Sequence, residues 1–277
     1  MKTTTKRKKQ WKKRLAALVL TVCIGAAAFL CYQAWLELRE RQAGEHYYET
    51  LADTLRTGEG KQTPAGGGSS GGEEEQPALD AEQPRVQDRE EVRSQMDFEA
   101  LWETCPDAVG WITIDGTVID YPVVQGEDNS FYLKHLPDGQ ANAAGSIMMD
   151  VSCDGKFTDQ VNILHGHHMR NKSMFGGLDS YKSEEYYRAH PVLRLYTPGG
   201  DHEVAIFAAF TVSGSGFGYP TGFATEGEFE DFVRACRDQS AFRTEVEVQW
   251  GDRLLVLSTC AYNFTGARFI VVGKIME

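Results

Sequence analysis

The segment Leu254-Leu-Val-Leu-Ser-Thr-Cys260 is an apolar run that ends in two hydroxyls and a thiol. Arg268 follows eight residues later, at the head of a second apolar run, Phe269-Ile-Val-Val. If the two runs pair as a hairpin, Cys260 and Arg268 lie on adjacent strands near its mouth. A guanidinium there favours the thiolate, or donates to an oxyanion formed when sulfur attacks a carbonyl. The competing reading of Cys260 is a buried, inert, small hydrophobe. A second group is Val161-Asn-Ile-Leu-His-Gly-His-His-Met169. A histidine in a loop at a strand end can exchange protons near neutral pH. Two other readings stand beside it. His165 and His167 alternate onto one face with His168 adjacent, as in a zinc site, although no third or fourth ligand has recognisable spacing. The same histidines could also be structural, each held by hydrogen bonds.

The elements that must position these residues are short strands. Val109-Gly-Trp-Ile-Thr-Ile and Thr117-Val-Ile-Asp-Tyr-Pro-Val-Val124 flank Asp115-Gly116, a strong hairpin signal. Further strand-like runs lie at 145–149, 161–165, 192–196, 203–212, 254–258 and 269–275, separated by turn residues. Helical patterns are fewer. Phe98, Leu101 and Trp102 have helical spacing, 173–181 forms a short helical pattern, and 226–239 places Phe229, Phe232, Val233 and Cys236 on one face. About eight strands with few helices indicate a mainly β fold, a barrel or sandwich with inserted helices.

The folded part is expected from about residue 96. Before it, residues 57–95 contain Ala65-Gly-Gly-Gly-Ser-Ser-Gly-Gly72, Glu73-Glu-Glu75, Pro77 and Pro84, which read as a flexible tether. Residues 36–56 are charged and suit a continued helix, so 36–95 is expected as a stalk and linker. Residues 15–35 carry no charge and can cross about 30 Å of hydrocarbon as a helix. Residues 1–14 carry eight lysines and arginines and no acid, so this flank is expected in the cytoplasm and the C-terminal bulk outside. A cleaved signal peptide is the rival, with Ala26-Ala-Ala28 inside the run, but Gln33-Ala-Trp-Leu-Glu37 is a poor cleavage site.

The overall net charge of −12 makes the chain a poor partner for nucleic acid. Hydrophobic and aromatic contents of 42% and 11% suit a real core. The six cysteines include no CxxC, which argues against a zinc knuckle, and their spacing does not suggest a disulfide framework.

Asn162-Ile-Leu-His-Gly-His-His-Met169, Leu257-Ser-Thr-Cys260 and Arg268-Phe-Ile-Val-Val-Gly273 together resemble the sortase family, most closely class B. Gly110-Trp-Ile, Ile119-Asp-Tyr-Pro-Val-Val-Gln-Gly126 and Asp128-Asn-Ser-Phe-Tyr-Leu133 support the likeness, which runs in order over about 97–277. The resemblance implies an eight-stranded sortase β-barrel on the outer face of a Gram-positive membrane. It assigns the nucleophile to Cys260, the proton shuttle to His167 and the cationic stabiliser to Arg268, with His168 as a neighbour. Asn129, Leu133, Ser258, Thr259 and Tyr219 fall at groove positions. Some class B members carry an acid two residues after the cysteine. Here that place is Tyr262, so the pair and the arginine must suffice. The implied reaction cleaves a C-terminal sorting motif of an exported protein at a Thr-Gly-like bond. It then joins the threonine, through a thioester, to a cell-wall amine, and it calls for no metal or organic cofactor. Two alternatives remain: an exported cysteine peptidase that uses water, and a tethered binding domain without catalysis.

Overall fold

The computed structural model describes residues 2–56, 94–213, 217–260 and 266–276. Most of the expected tether, at 57–93, and Tyr262 lie outside the described residues. The chain forms two units, Met1–Tyr48 and Glu49–Glu277. The first lies within helix α1, Lys2–Arg56. The part of α1 at Val19–Leu55 is long and apolar enough to cross a membrane.

The second unit contains a closed eight-stranded barrel in the order β1-β2-β3-β4-β7-β8-β6-β5. After helix α2 (Phe98–Thr104), β1 (Ala108–Thr113) and β2 (Asp120–Val124) pair antiparallel around Asp115-Gly116, and Gly116 has φ +74°. A short 3₁₀ turn at Phe131–Leu133 precedes β3 (Ile147–Met149), which joins β2 in parallel. Next come β4 (Val161–Gly166), a 3₁₀ segment at Phe175–Lys182 and helix α3 (Glu184–Ala189). They are followed by β5 (Val192–Thr197), β6 (Gly200–Ser213), helix α4 (Glu226–Gln239), β7 (Arg253–Cys260) and β8 (Ala267–Ile275). β5 pairs with β1 and closes the barrel, which leaves no free edge to blunt.

β4 and β7 are parallel neighbours, in register from Val161↔Leu254 to Gly166↔Thr259. Their continuous apolar stretches, Val161–Leu164 and Leu254–Leu257, reflect burial on both faces apart from Asn162, itself fully buried. One face meets the barrel interior and the other is covered by chain such as the 3₁₀ segment bearing Phe175, Leu178 and Tyr181, all fully buried. α4 starts at Thr225, whose side chain accepts from the Glu228 N–H, and buries Phe229, Val233 and Cys236.

Several details differ from the sequence expectation. The pattern at 173–181 is a 3₁₀ segment, because Gly176 and Gly177 favour a tight irregular turn over a regular helix. The strand expected at 145–149 begins only at Ile147, since Gly145 has φ +60° and sits in a turn. Trp102 is not on the packed face of α2: it is 41% exposed, and its indole N–H reaches the Ala108 carbonyl at 2.8 Å. Phe232 is only half-buried beside its α4 neighbours.

Candidate active site

The three chemistry-bearing residues meet at one end of three adjacent strands. Gly166 of β4 pairs with Thr259 of β7, so His167 and Cys260 each come next after a matched pair. Cys260, the last residue of β7, pairs in turn with Arg268 of β8. Arg268 also lies opposite Val212 of β6 and is half-buried. Parallel pairing of β4 with β7 therefore does what the hairpin alone cannot: it brings a histidine from 93 residues earlier in the chain to the same rim.

His167 is half-buried, and its Nε2 lies 2.6 Å from the Leu133 carbonyl oxygen. A carbonyl only accepts, so Nε2 carries the proton and donates, and Nδ1 is the nitrogen left to gain or lose one. The acceptor is held firmly. The Tyr132 hydroxyl donates to Asp107 at 2.6 Å, and burial followed by that carboxylate pushes the Tyr132 hydroxyl upward, so it stays protonated and donating. Gly145 has no room for a side chain, since a Cβ there would meet the Leu133 and Tyr132 carbonyl oxygens at 2.7 Å. Gly166 is equally constrained: a Cβ would lie 2.6 Å from Ile147 Cδ1 and 2.7 Å from the Phe175 ring. The backbone immediately before His167 thus packs directly against the core. On the far side, the Phe175 N–H donates to the His167 carbonyl at 3.0 Å.

The histidines divide between separate partners. His165 Nε2 donates to Asp150 Oδ2 at 2.8 Å, and His168 Nε2 faces Asp179 Oδ2 at 3.4 Å. Among the described residues, no group of three or more His, Cys, Asp or Glu is arranged to hold a metal ion. The other thiols of this unit are set apart by burial. It pushes Cys153 up to about 11 and Cys236 up to about 12, while Cys105 is fully buried.

The candidate groove residues each have partners of their own. Leu133 supplies the carbonyl already described. Asn129, exposed, donates to Asp150 Oδ2 at 3.0 Å and accepts from the Val151 N–H at 2.8 Å. The Tyr219 and Ser258 hydroxyls are 2.6 Å apart, and Tyr219 adopts φ +42°. Ser258 and Thr259 are both buried, but successive strand residues face opposite sides, so only Ser258 is turned toward Tyr219. The Thr259 hydroxyl has no hydrogen-bond partner among the described residues. Sequence reasoning passed over Asp150, Asp179 and the Leu133 carbonyl as parts of this site. A backbone acceptor has no residue-type signal, and a lone aspartate in a turn-like stretch has none that points to a partner.

No protein-family profile matches the chain. Over 188 residues, however, it is 34% identical to Sortase B of Listeria monocytogenes, a match spanning 67% of this chain and 76% of that protein. The chain belongs to the sortase family, class B. Sortase B of Staphylococcus aureus is 32% identical over 191 residues, covering 68% of this chain and 78% of the relative. The solved Staphylococcus aureus sortase B–substrate complex superposes with a TM-score of 0.69 at 28% identity, over 87% of this chain and 99% of that one. The closed eight-stranded barrel is accordingly the sortase fold, and the chain is a cysteine transpeptidase of the sortase type.

Proposed function

We propose that this sortase cleaves a C-terminal sorting motif of exported proteins at a Thr-Gly-like bond and transfers the threonine acyl group to a cell-wall amine. The observation that carries the assignment of roles is the double register Gly166↔Thr259 and Cys260↔Arg268, which supports a Cys260, His167 and Arg268 centre. Cys260 passes its thiol proton to His167 Nδ1, and the resulting thiolate attacks the threonine carbonyl. The carbonyl π pair moves onto oxygen, where Arg268 offsets the charge. Collapse breaks the C–N bond, and His167 gives its Nδ1 proton to the departing amine, which leaves poorly as an anion. The acyl group is then a thioester on Cys260. An incoming amine attacks it, His167 takes a proton back, the C–S bond breaks and a new amide forms. The Nε2 bond to the Leu133 carbonyl fixes the ring throughout, so each transfer runs through one nitrogen. Asn129, Leu133, Ser258, Thr259 and Tyr219 line the groove for the sorting motif. Helix α1 anchors the enzyme as a single span, with the basic N-terminal flank in the cytoplasm and the barrel outside.

The test is incubation of the full-length enzyme with a library of sorting peptides and candidate amines, read by mass spectrometry. A peptide joined to the amine is expected, with Cys260→Ala folded and inactive. Continued cleavage by that variant overturns the assignment of the nucleophile. A free acid as the sole product, with amine in excess, would make the enzyme a peptidase.

A further inference from the structure

Three of the groove residues are joined by two side chains that have no part in the chemistry above. Asp150, just past β3, is about one-seventh exposed at its side chain, and its Oδ2 accepts from both Asn129 and His165. Its other oxygen accepts from the Ser152 N–H at 3.0 Å and the Ser152 hydroxyl at 2.7 Å, so the carboxylate is saturated and cannot rotate freely. Its backbone carbonyl takes the Gln125 side-chain amide at 3.1 Å. His165, near the end of β4, carries the link across the rim. Its ring meets the Tyr219 ring edge to face at 5.4 Å between centroids, and the Tyr219 hydroxyl in turn bonds to Ser258. The result is one continuous line from Asn129 through Asp150, His165 and Tyr219 to Ser258. It runs from the loop after β2, across β4, to the loop before α4 and back to β7, two residues before Cys260.

We infer that Asp150 and His165 are positioning residues that set the two opposite walls of the sorting-motif groove relative to each other. The inference rests on the reading of Asn129, Tyr219 and Ser258 as groove residues. Neither positioning residue is assigned a step in the reaction. The Asp150 carboxylate holds the Asn129 wall by charge-assisted hydrogen bonds, which lose most when one partner is removed. The His165 ring holds the Tyr219 wall by ring contact. The two halves of the line therefore respond to different substitutions.

The experiment uses the full-length protein in detergent, with two readouts. The first is amide hydrogen exchange, which does not depend on the substrate. In Asp150→Asn the Val151 amide, held by Asn129, is expected to exchange about tenfold faster, in keeping with the loss of a charge-assisted bond. Residues 217–223 should change less, and β4 and β7 amides should keep their protection, which shows the barrel is folded. In His165→Phe, which keeps a ring but no donor, residues 217–223 should stay protected while Val151 loosens; His165→Gln should give the reverse. The second readout is sorting-peptide turnover. KM is expected to rise about tenfold in Asp150→Asn while kcat falls less than threefold, and Asn129→Ala added to Asp150→Asn should cost little more. Unchanged Val151 exchange, loss confined to kcat, or additive effects of the two substitutions would each overturn the proposal. If the wild-type enzyme turns over no sorting peptide, it is the functional reading that fails, and the exchange result alone then decides whether the two walls are coupled.

Discussion

Arg268 and His167 make the sharpest demands on residue type. A lysine at 268 keeps the charge but not the planar fork, so Arg268→Lys is expected to lower kcat/KM by about 10²-fold, the scale of removing one donor to an oxyanion. Wild-type turnover by the lysine variant in the sorting-peptide assay would show that charge alone suffices. Thiol reactivity should single out one cysteine of the barrel. Iodoacetamide is expected to modify Cys260 and to spare Cys105, which is fully buried, and Cys153 and Cys236, whose burial pushes their thiols up; peptide mapping after brief exposure reads this directly. Asp150 adds a pH dependence. The His165 hydrogen bond, ahead of the Ser152 and Asn129 bonds, holds its carboxyl well below the usual range, although burial opposes the shift. A depressed folded pKa contributes stability that is complete above the unfolded value, about 3.9, and is lost as pH falls through the folded value. Urea midpoints should therefore decline below about pH 4 in the wild type, and decline less steeply in Asp150→Asn. The pairing of Cys260 with Arg268 was legible in the sequence because each sits at the end of an apolar run that signals a strand. The Leu133 carbonyl was not, since every residue has one and only the fold selects which is used.

At the scale of elements, the end of β4 is set by a glycine with no space around it. In Gly166→Ala the added methyl must displace Ile147 or the Phe175 ring. Overpacking of this kind costs about 1–3 kcal/mol, so a lower unfolding temperature is expected, together with a larger loss in kcat than stability explains, because His167 is the next residue. Equal losses for Gly166→Ala and a core substitution of matched stability would remove the link to His167. The strands were readable where apolar runs or clean alternation marked them, as in 161–165 and 254–258. The start of β6, Gly200-Asp-His, was missed because its polar residues hide the period. Helix α3, Glu184–Ala189, buries no side chain and so writes no stripe into the sequence. The hairpin at Asp115-Gly116 was legible because its turn chemistry is local, whereas the parallel pairing of β4 with β7 joins distant segments and leaves no local mark.

For the whole molecule, the apolar helix α1 and the closed barrel make separable expectations. The full-length protein should stay with the membrane pellet in high salt and alkaline carbonate and be released only by detergent, because about twenty apolar residues hold far more strongly than surface charge does. Release by salt alone would mean that α1 does not span. The uncharged stretch marked the apolar part of α1 in the sequence without need of a fold. The barrel order could not be read in the same way, since eight strands of similar composition admit many pairings.

The acceptor for His167 Nε2 belongs to the main chain, and that has an evolutionary corollary. No codon change at 133 removes a carbonyl, so the ring's anchor does not depend on which side chain packs there against Val124, Tyr132 and Met148. The tautomer of the imidazole is thereby inherited independently of the residue type at 133.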